Sequence, residues 1–205
     1  YSCEGIGGMS RSFHRLVHRH ITTGKYARAP RPLLINNWEA TYFDFDGEKI
    51  YALAKEAKQF GIEMLVLDDG WFGHRNDDNS SLGDWKVNES KIGSLAELSQ
   101  KIHGLGMKFG LWFEPEMISV DSDLYRAHPD WALQVEGRTP TLSRNQLVLD
   151  LSRKEVRDTV YGEIHAVLQN AGIDYIKWDM NRNLTNIGGI GTGREDSAPA
   201  QESAG

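Results

Sequence analysis

The feature that most limits the fold of this chain is its alternation of short apolar runs with amphipathic stretches. Apolar runs of strand length occur at 33–36, 64–67, 107–113, 147–150 and 173–179. Stretches with helical spacing separate them, at 47–60, 94–104, 122–128 and 152–171. Short strands that are apolar on both faces and alternate with helices indicate parallel strands joined by crossovers. The sequence therefore predicts an α/β fold with about five strands and four connecting helices.

Two α/β architectures fit this alternation, a doubly wound sheet and a (β/α)₈ TIM barrel. Polar and aromatic residues follow nearly every predicted strand, as they do at the catalytic face of a barrel. We therefore expect a barrel, and an incomplete one, over residues 32–187. The whole chain has 205 residues, fewer than the roughly 250 of a typical complete barrel.

The two ends of the chain differ from this pattern. Between Glu4 and Glu39 there is no acidic residue, while Lys and Arg recur among strand-like apolar residues. This favours an edge strand and a linker over residues 1–31 rather than a polyanion-binding arm. Residues 188–205 are rich in Gly, Ser, Ala and charge without an apolar period, which predicts a disordered tail.

Composition sets limits on partners and location. The net charge of −6 argues against non-specific binding to nucleic acid, and no apolar run approaches the ~20 residues of a membrane span. The single cysteine, Cys3, has no partner for an internal disulfide, which favours a cytoplasmic protein. The glycine-rich segments lack a P-loop lysine, so no nucleotide is predicted.

The residues that follow the predicted strands resemble a site for a small polyhydroxylated ligand. They comprise Trp38, Asp68, Asp69, Trp112, Glu114, Asp150 with Arg144 before it, Lys177, Asp179 and Asn181. Carboxylates accept hydrogen bonds from sugar hydroxyls, and an indole face covers the apolar patch of a sugar ring. Six tryptophans, mostly near strand ends, favour a sugar site over core filling alone.

The last predicted strand carries the strongest chemical signal. Alternate residues of a strand share a face, so Lys177, Asp179 and Asn181 should point the same way. An ammonium group close to a carboxylate keeps it ionised, as a carboxylate nucleophile requires. A structural Lys–Asp pair remains an alternative, as does a Schiff-base lysine at Lys177, although Asp179 would raise the pKa that such a lysine needs lowered.

Metal binding is a second hypothesis for the adjacent carboxylates Asp68 and Asp69. The histidines lie away from the predicted strand ends, and His14 and His18 fall in a segment interpreted as a strand, where their spacing of four does not bring them together. The sequence therefore predicts neither a metal nor an organic cofactor.

Several motifs together resemble the family 36 glycoside hydrolases, the bacterial and fungal α-galactosidases. Residues 32–43 (PLLINNWEATYF) resemble the start of that family's barrel. Further motifs follow in the family's order at 67–73 (LDDGWFG), 83–85 (GDW), 111–117 (LWFEPEM) and 177–182 (KWDMNR). The resemblance covers about residues 1–187 and implies that residues 1–31 are the exit from an N-terminal β-sandwich domain.

The resemblance also implies roles for individual residues. Asp179 would be the nucleophile of a retaining hydrolysis through a covalent galactosyl intermediate, and Lys177 would bind a hydroxyl and help keep Asp179 ionised. Asp68 and Asp69 would bind the C4 and C6 hydroxyls of galactose. The remaining expected contacts with the sugar come from Trp38, Trp112, Arg144 and Asn181. The substrates implied are α-galactosides such as melibiose and raffinose, and the complete enzymes are expected to be tetramers.

One part of the family pattern is not found in this sequence. The general acid/base of the family lies downstream of the nucleophile, in a Ser-Asp-Asp type motif after a Cys- and Gly-rich loop, and the sequence after Arg182 contains neither. We therefore expect a chain that cannot turn over ordinary substrates alone. Two other interpretations stay open: a non-catalytic galactose-binding fragment, and an α-N-acetylgalactosaminidase or galactosyl-transferring relative.

Overall fold

A computed structural model describes residues 3–135 and 137–186 of the chain. The predicted disordered tail at 188–205 lies outside these residues. The chain divides into two units, Tyr1–Leu33 and Leu34–Gly205, and the residues of the predicted site all belong to the second.

The first unit is helical, so the strand predicted within 1–31 is wrong. Helix α1 spans Gly5–Leu16, a π-helical stretch continues it over Val17–Ile21, and a 3₁₀ turn follows at Lys25–Ala27. The apolar residues at 6, 9, 13 and 16 recur every three to four positions, which is the period of a helix rather than of a strand. The assignment of this segment to a β-sandwich domain stays a prediction.

The second unit is built around a four-stranded parallel sheet. Its strands are β1 (Leu34–Asn36), β2 (Met64–Leu67), β3 (Lys108–Phe113) and, after two strands described below, β6 (Tyr175–Trp178). Their order in the sheet is β1-β2-β3-β6, and every pair is parallel. The strands follow chain order without the reversal that defines a doubly wound sheet. The prediction of a partial (β/α)₈ barrel is therefore confirmed.

Three longer helices connect these strands, each after a strand as predicted. They are α3 (Gly47–Gln59), α5 (Leu95–Gly104) and α7 (Lys154–Ala171). Ser94 caps the start of α5, because its hydroxyl accepts the Glu97 backbone N–H at 3.3 Å. Helix α7 has no side-chain cap, since Ser152 donates its hydroxyl to Asp150 instead.

Shorter elements fill the connections between these strands and helices. They are α2 (Trp38–Thr41), α4 (Glu89–Ile92), α6 (Asp123–Ala127) and a 3₁₀ turn at Pro129–Trp131. Helix α6 confirms the short helix predicted before Pro129. Except for α2, these elements lie between β2 and α7 in the chain.

The predicted fourth barrel strand at 147–150 is not part of the parallel sheet. Strand β5 (Gln146–Val148) instead pairs antiparallel with β4 (Met117–Ser119), with Ile118 opposite Leu147. An apolar run of this length has the same composition whether its neighbour is parallel or antiparallel, so periodicity could not separate the two cases. The described residues therefore supply four adjacent barrel strands. The antiparallel pair of β4 and β5 lies in the connection between β3 and α7.

Candidate functional site

The carboxyl ends of the parallel strands surround a small cavity. Its lining consists of Trp38, Asp68, Asp69, Trp112, Arg144, Lys177, Asp179 and Asn181. These are the eight residues to which the family resemblance gave roles, and the structure brings all of them together. Glu114 and Asp150, which were also predicted at strand ends, do not line the cavity. The cavity volume is about 150 Å³, below the roughly 300–1,000 Å³ of sites for drug-sized ligands. The cavity therefore suits one small polar ligand such as a single sugar ring.

Asp68 is held by the two neighbouring strands. Strand β2 is buried along its whole length and delivers Asp68 directly after Leu67. The Asp68 backbone N–H donates to Asn37 Oδ1 at 2.7 Å, and Asn36 Nδ2 donates to the Asp68 carboxylate. Lys177 Nζ donates to the same carboxylate at 2.8 Å across the sheet. Asp68 is thus fixed from both sides before any ligand is present.

Asp69 is held by a buried arginine from the following loop. Arg75 donates from Nε to Asp69 Oδ1 at 2.6 Å and from Nη2 to Asp69 Oδ2 at 2.8 Å. Burial raises the pKa of Asp69, with the neighbouring Asp68 and Asp78 adding to the rise, while the Arg75 guanidinium opposes it. The bidentate pair leaves Asp69 with lone pairs that can accept a ligand hydroxyl.

Asp179 lies at the end of β6 and accepts hydrogen bonds on both of its oxygens. Trp112 Nε1 donates to Asp179 Oδ2 at 2.9 Å, Asn181 Nδ2 donates to the same atom at 3.0 Å, and the Met180 backbone N–H donates to Oδ1 at 3.0 Å. Burial raises the pKa of Asp179, but these donors and Lys177 outweigh it, so the pKa lies below its usual range. Such a carboxylate stays ionised, as a nucleophile must.

Lys177 contributes less to Asp179 directly than the sequence suggested. Its Nζ lies 3.9 Å from Asp179 Oδ2 but 2.8 Å from Asp68 Oδ2. The predicted common face of the strand brings both groups to the cavity, yet the ammonium pairs with the carboxylate on the opposite side. Lys177 therefore links the two carboxylates, and hydrogen bonds from neutral N–H groups provide most of the support for Asp179.

The tryptophans divide between the cavity and the core. Trp38 and Trp112 line the cavity, and Trp112 packs with Phe72 and Trp85 in a buried aromatic cluster. Trp71 and Trp85 are also buried but do not line the cavity, so tryptophans near strand ends serve both the site and the core. A buried indole contributes a large apolar surface wherever it lies, and sequence position at a strand end does not separate the two uses.

Arg144 reaches the cavity from a tight turn. Ser143 and Gln146 form an antiparallel bridge, and between them Arg144 and Asn145 have φ values of 51° and 58°. Two consecutive residues in the left-handed region are typical of a hairpin turn and are unfavourable for an arginine. The strained backbone places Arg144 in the lining of the cavity, where its side chain stays 44% exposed, and strain of this kind is common at functional sites.

Several residues that support the site received no individual role from the sequence. Asn36 and Asn37 are among the polar residues that follow the first predicted strand, and they bind Asp68 as described above. Arg75 lies in a polar stretch whose composition resembles an exposed loop, so no signal marked it as buried. Glu114 was noted after β3 but received no role.

Glu114 does not line the cavity and instead contacts the backbone of Asn181. It is 1% exposed, and its Oε1 accepts the backbone N–H of Asn181. Gln146 Nε2 donates to Glu114 Oε2 at 3.3 Å. Burial raises the pKa of Glu114, with Asp179 and Asp69 adding to the rise against the Asn181 hydrogen bonds. Glu114 therefore fixes the backbone of a residue that itself binds Asp179.

A larger cavity of about 460 Å³ lies elsewhere, between α5, α7 and residues 85–89. Its lining is mainly apolar, and the half-buried carboxyl group of Glu163 accepts the backbone N–H of Trp85 at 3.2 Å. It contains no cluster of paired carboxylates, amides and cations like that at the strand ends. Chemistry, rather than size, identifies the smaller cavity as the candidate site.

Within residues 3–135 and 137–186 no group of three or more His, Cys, Asp or Glu side chains is placed to hold a metal ion. His14 and His18 lie on α1 and the π-helical stretch, so the strand interpretation used to reject them was wrong. No helix in the described part of the chain is long and apolar enough to cross a membrane.

A parallel barrel sheet whose strand ends gather carboxylates, an amide, a cation and indoles is typical of barrel enzymes that act on small polar substrates. The Melibiase family model matches residues 1–203. The chain belongs to the Melibiase family.

Curated relatives and solved structures agree with this assignment. The chain is 60% identical over 188 residues to the bifunctional α-galactosidase/sucrose kinase AgaSK of Mediterraneibacter gnavus, covering 91% of the chain and 20% of that protein. It is 55% identical to α-galactosidase Mel36A of Lactobacillus acidophilus, covering 91% of the chain and 26% of the relative. An α-galactosidase AgaA variant of Geobacillus stearothermophilus in complex with raffinose superposes with a TM-score of 0.86 at 52% identity, over 90% of this chain and 26% of that one. The chain thus spans a fifth to about a quarter of the length of these relatives.

Proposed function

We propose that this chain forms the galactose-binding and nucleophile portion of a retaining α-galactosidase. The observation that carries the proposal is the Asp179 carboxylate, which lines a sugar-sized cavity with a lowered pKa and N–H donors on both oxygens. Family membership and relatives named as α-galactosidases support the same activity. The raffinose complex of the AgaA variant supports α-galactosyl oligosaccharides as the substrate class.

In the proposed reaction an oxygen of Asp179 attacks the anomeric carbon of the bound galactosyl group. The new C–O bond forms as the bond to the leaving oxygen breaks, and the leaving oxygen takes the electron pair. Water later attacks the same carbon and releases the ionised Asp179 carboxylate, so the configuration is retained. The proton that this water loses balances the one that the leaving oxygen gains, and both transfers require an acid/base. Asp68 and Asp69 accept the C4 and C6 hydroxyls, Lys177 and Arg144 donate to ring hydroxyls, and Trp38 and Trp112 enclose the ring.

We infer that the acid/base of this reaction is not among the described residues. The described carboxylates that line the cavity are Asp68, Asp69 and Asp179. Asp68 is paired with Lys177, and Asp69 is held on both oxygens by Arg75. Glu114 has the raised pKa of a general acid but does not line the cavity. The chain alone should therefore act only on substrates whose leaving group needs no proton.

The test is intact-mass measurement of the chain after incubation with α-galactosyl fluoride, whose fluoride leaves without protonation. We expect one galactosyl adduct on the parent chain and none on Asp179→Asn, which keeps the shape of the side chain. Circular dichroism of both proteins controls for folding. The absence of an adduct on a folded parent chain would contradict a catalytic role.

A non-catalytic galactose-binding function is the second candidate, and the ion-paired state of Asp68 and Asp69 favours it over other classes. It predicts galactose binding by NMR titration without any adduct. A cytoplasmic location and a tetramer of the complete enzyme stay predictions, as does the choice between galactose and N-acetylgalactosamine.

A further inference from the structure

Arg75 is buried although the sequence around it resembles a solvated loop. The residue is 1% exposed, and three of its nitrogens donate hydrogen bonds. Nε and Nη2 donate to the two oxygens of Asp69, and Nη1 donates to the Ser80 carbonyl oxygen at 2.7 Å. The guanidinium also lies over the Phe43 and Phe72 rings, 5.7 and 5.9 Å from their centroids. A buried cation is costly unless it is fully paired, so this arrangement favours one position of Asp69.

Asp78 lies between Arg75 and Arg144, which lines the cavity. Its Oδ1 lies 3.7 Å from Arg75 Nη2 and 3.6 Å from Arg144 Nη2. That oxygen is buried and has no hydrogen-bond partner among the described residues. One carboxylate oxygen therefore lies between two guanidinium groups, of which one holds Asp69 and the other lines the cavity.

We propose that Arg75 is a positioning residue of the sugar site. It fixes both oxygens of Asp69 and, through Asp78, keeps Arg144 in the lining of the cavity. The inference rests on the proposed function, because it assigns Asp69 and Arg144 to hydroxyl binding. Arg75 does not line the cavity and acts only through these two residues.

A merely structural arginine would give a different result from a positioning one. Loss of a structural arginine lowers the fraction of folded protein and leaves the affinity of the folded fraction unchanged. Loss of a positioning arginine weakens sugar binding in protein that is fully folded. The rate of labelling at saturating galactosyl fluoride should change little, because Asp69 contacts hydroxyls remote from the anomeric carbon.

The first experiment compares Arg75→Lys with the parent chain, using D-galactose in NMR titrations and α-galactosyl fluoride in time-resolved mass measurements. Lysine keeps the charge but cannot bind both Asp69 oxygens. We expect the dissociation constants of both ligands to rise about 10-fold to 100-fold, with the limiting labelling rate changed less than about 3-fold. Arg126→Lys is the matched control, since Arg126 pairs with Asp121 and Asp123 on an exposed surface, and its affinity should equal that of the parent.

The second variant, Asp78→Asn, leaves the Arg75–Asp69 pair intact and so remains informative if Arg75→Lys does not fold. We expect its galactose affinity to fall about 3-fold, and this loss to vanish when Arg144 is already replaced by Lys. If Arg75→Lys folds and its affinity for galactose is unchanged, the inference is overturned. If Arg75→Lys does not fold, an unchanged galactose affinity in Asp78→Asn overturns it. A parent chain that neither binds galactose nor becomes labelled overturns the proposed function and this inference with it.

Discussion

The two halves of the candidate site differ in how firmly the fold holds them. The hydroxyl-binding half, Asp68 and Asp69, has side chains that are 5% and 7% exposed, and each carboxylate is paired with a cation. The nucleophile half, Lys177, Asp179 and Asn181, is more open, with Lys177 37% and Asp179 29% exposed. The groups proposed to bind the sugar are therefore buried with the sheet, while the group proposed to react lies closer to solvent.

Sheet position explains this difference. Strand β2 has a neighbour on each side, β1 and β3, whereas among the described residues β6 is paired only with β3. Residues that follow a central strand inherit its burial, and residues on an edge strand depend on local side chains for support. The carboxylates proposed for hydroxyl recognition are thus held by ion pairs, whereas the ionised state of Asp179 depends mainly on neutral N–H donors.

Lys177→Met should disturb both halves of the site, because Lys177 Nζ is the group that contacts both. The change leaves the buried Asp68 carboxylate without its cation and removes a positive charge near Asp179. We expect the free energy of unfolding to fall by about 1–3 kcal/mol and the labelling rate with galactosyl fluoride to fall about 100-fold. Urea denaturation and intact-mass kinetics measure the two effects.

The control for this prediction is Lys154→Met on the exposed start of α7. Lys154 forms a surface ion pair with Asp158, four residues along the same helix. Exposed pairs of this kind contribute at most about 0.5 kcal/mol, so both readouts should stay near those of the parent. Equal effects of the two substitutions would show that Lys177 does not connect the halves.

A sharper test of the nucleophile half is Trp112→Phe, which keeps the aromatic ring but removes the N–H that donates to Asp179. The pKa of Asp179 is lowered in the folded chain despite burial. Its ionised form therefore stabilises the folded chain above pH 3.8, the usual pKa of an aspartate, and this contribution is lost as the pH falls through the folded pKa. Removing a donor raises the folded pKa. The acid limb of the labelling rate should therefore move upward, by about one pH unit.

Trp85→Phe provides the matched control for that shift. Trp85 belongs to the same buried aromatic cluster, but its Nε1 has no hydrogen-bond partner among the described residues. Its replacement changes the packing without changing a donor to Asp179, so the acid limb should stay in place. An equal shift in both variants would mean that ring packing, rather than the N–H group, sets the pKa of Asp179.

The sequence allowed the site to be predicted more fully than the fold around it. Strand ends of a parallel sheet converge, so a correct placement of β1, β2, β3 and β6 was sufficient to bring seven of the eight residues to one cavity. Arg144 comes from the turn before β5, and its place in the site was implied by the family resemblance. The predicted parallel strand at 147–150 failed because an apolar run does not state its partner. The strand predicted within 1–31 failed because β-like composition was given more weight than helical spacing.

The supporting contacts were least accessible to sequence reasoning. Arg75 stands among His, Asn, Asp and Ser residues, and only the folded loop shows that its guanidinium turns inward. The pairing of Lys177 with Asp68 rather than Asp179 depends on the cross-strand geometry of β6 and β3 with β2. Such contacts are set by register and loop conformation, which residue types alone do not specify.

The smallest expected effect on labelling concerns Glu114, the buried carboxyl group that contacts the backbone of Asn181. Because burial raises its folded pKa, Glu114 contributes stability in its protonated form, and this contribution is lost as the pH rises from its usual value of 4.5 through the folded pKa. Glu114→Gln keeps an oxygen that can accept the Asn181 N–H and cannot ionise. The labelling rate should therefore change less than about 3-fold, while the variant gains unfolding free energy over the parent as the pH rises above 4.5. The control is Glu56→Gln on the exposed surface of α3, which removes the same charge without burial and should show no such gain. A Glu114→Gln variant that loses stability at neutral pH would instead mean that the ionised carboxylate is needed to hold Asn181.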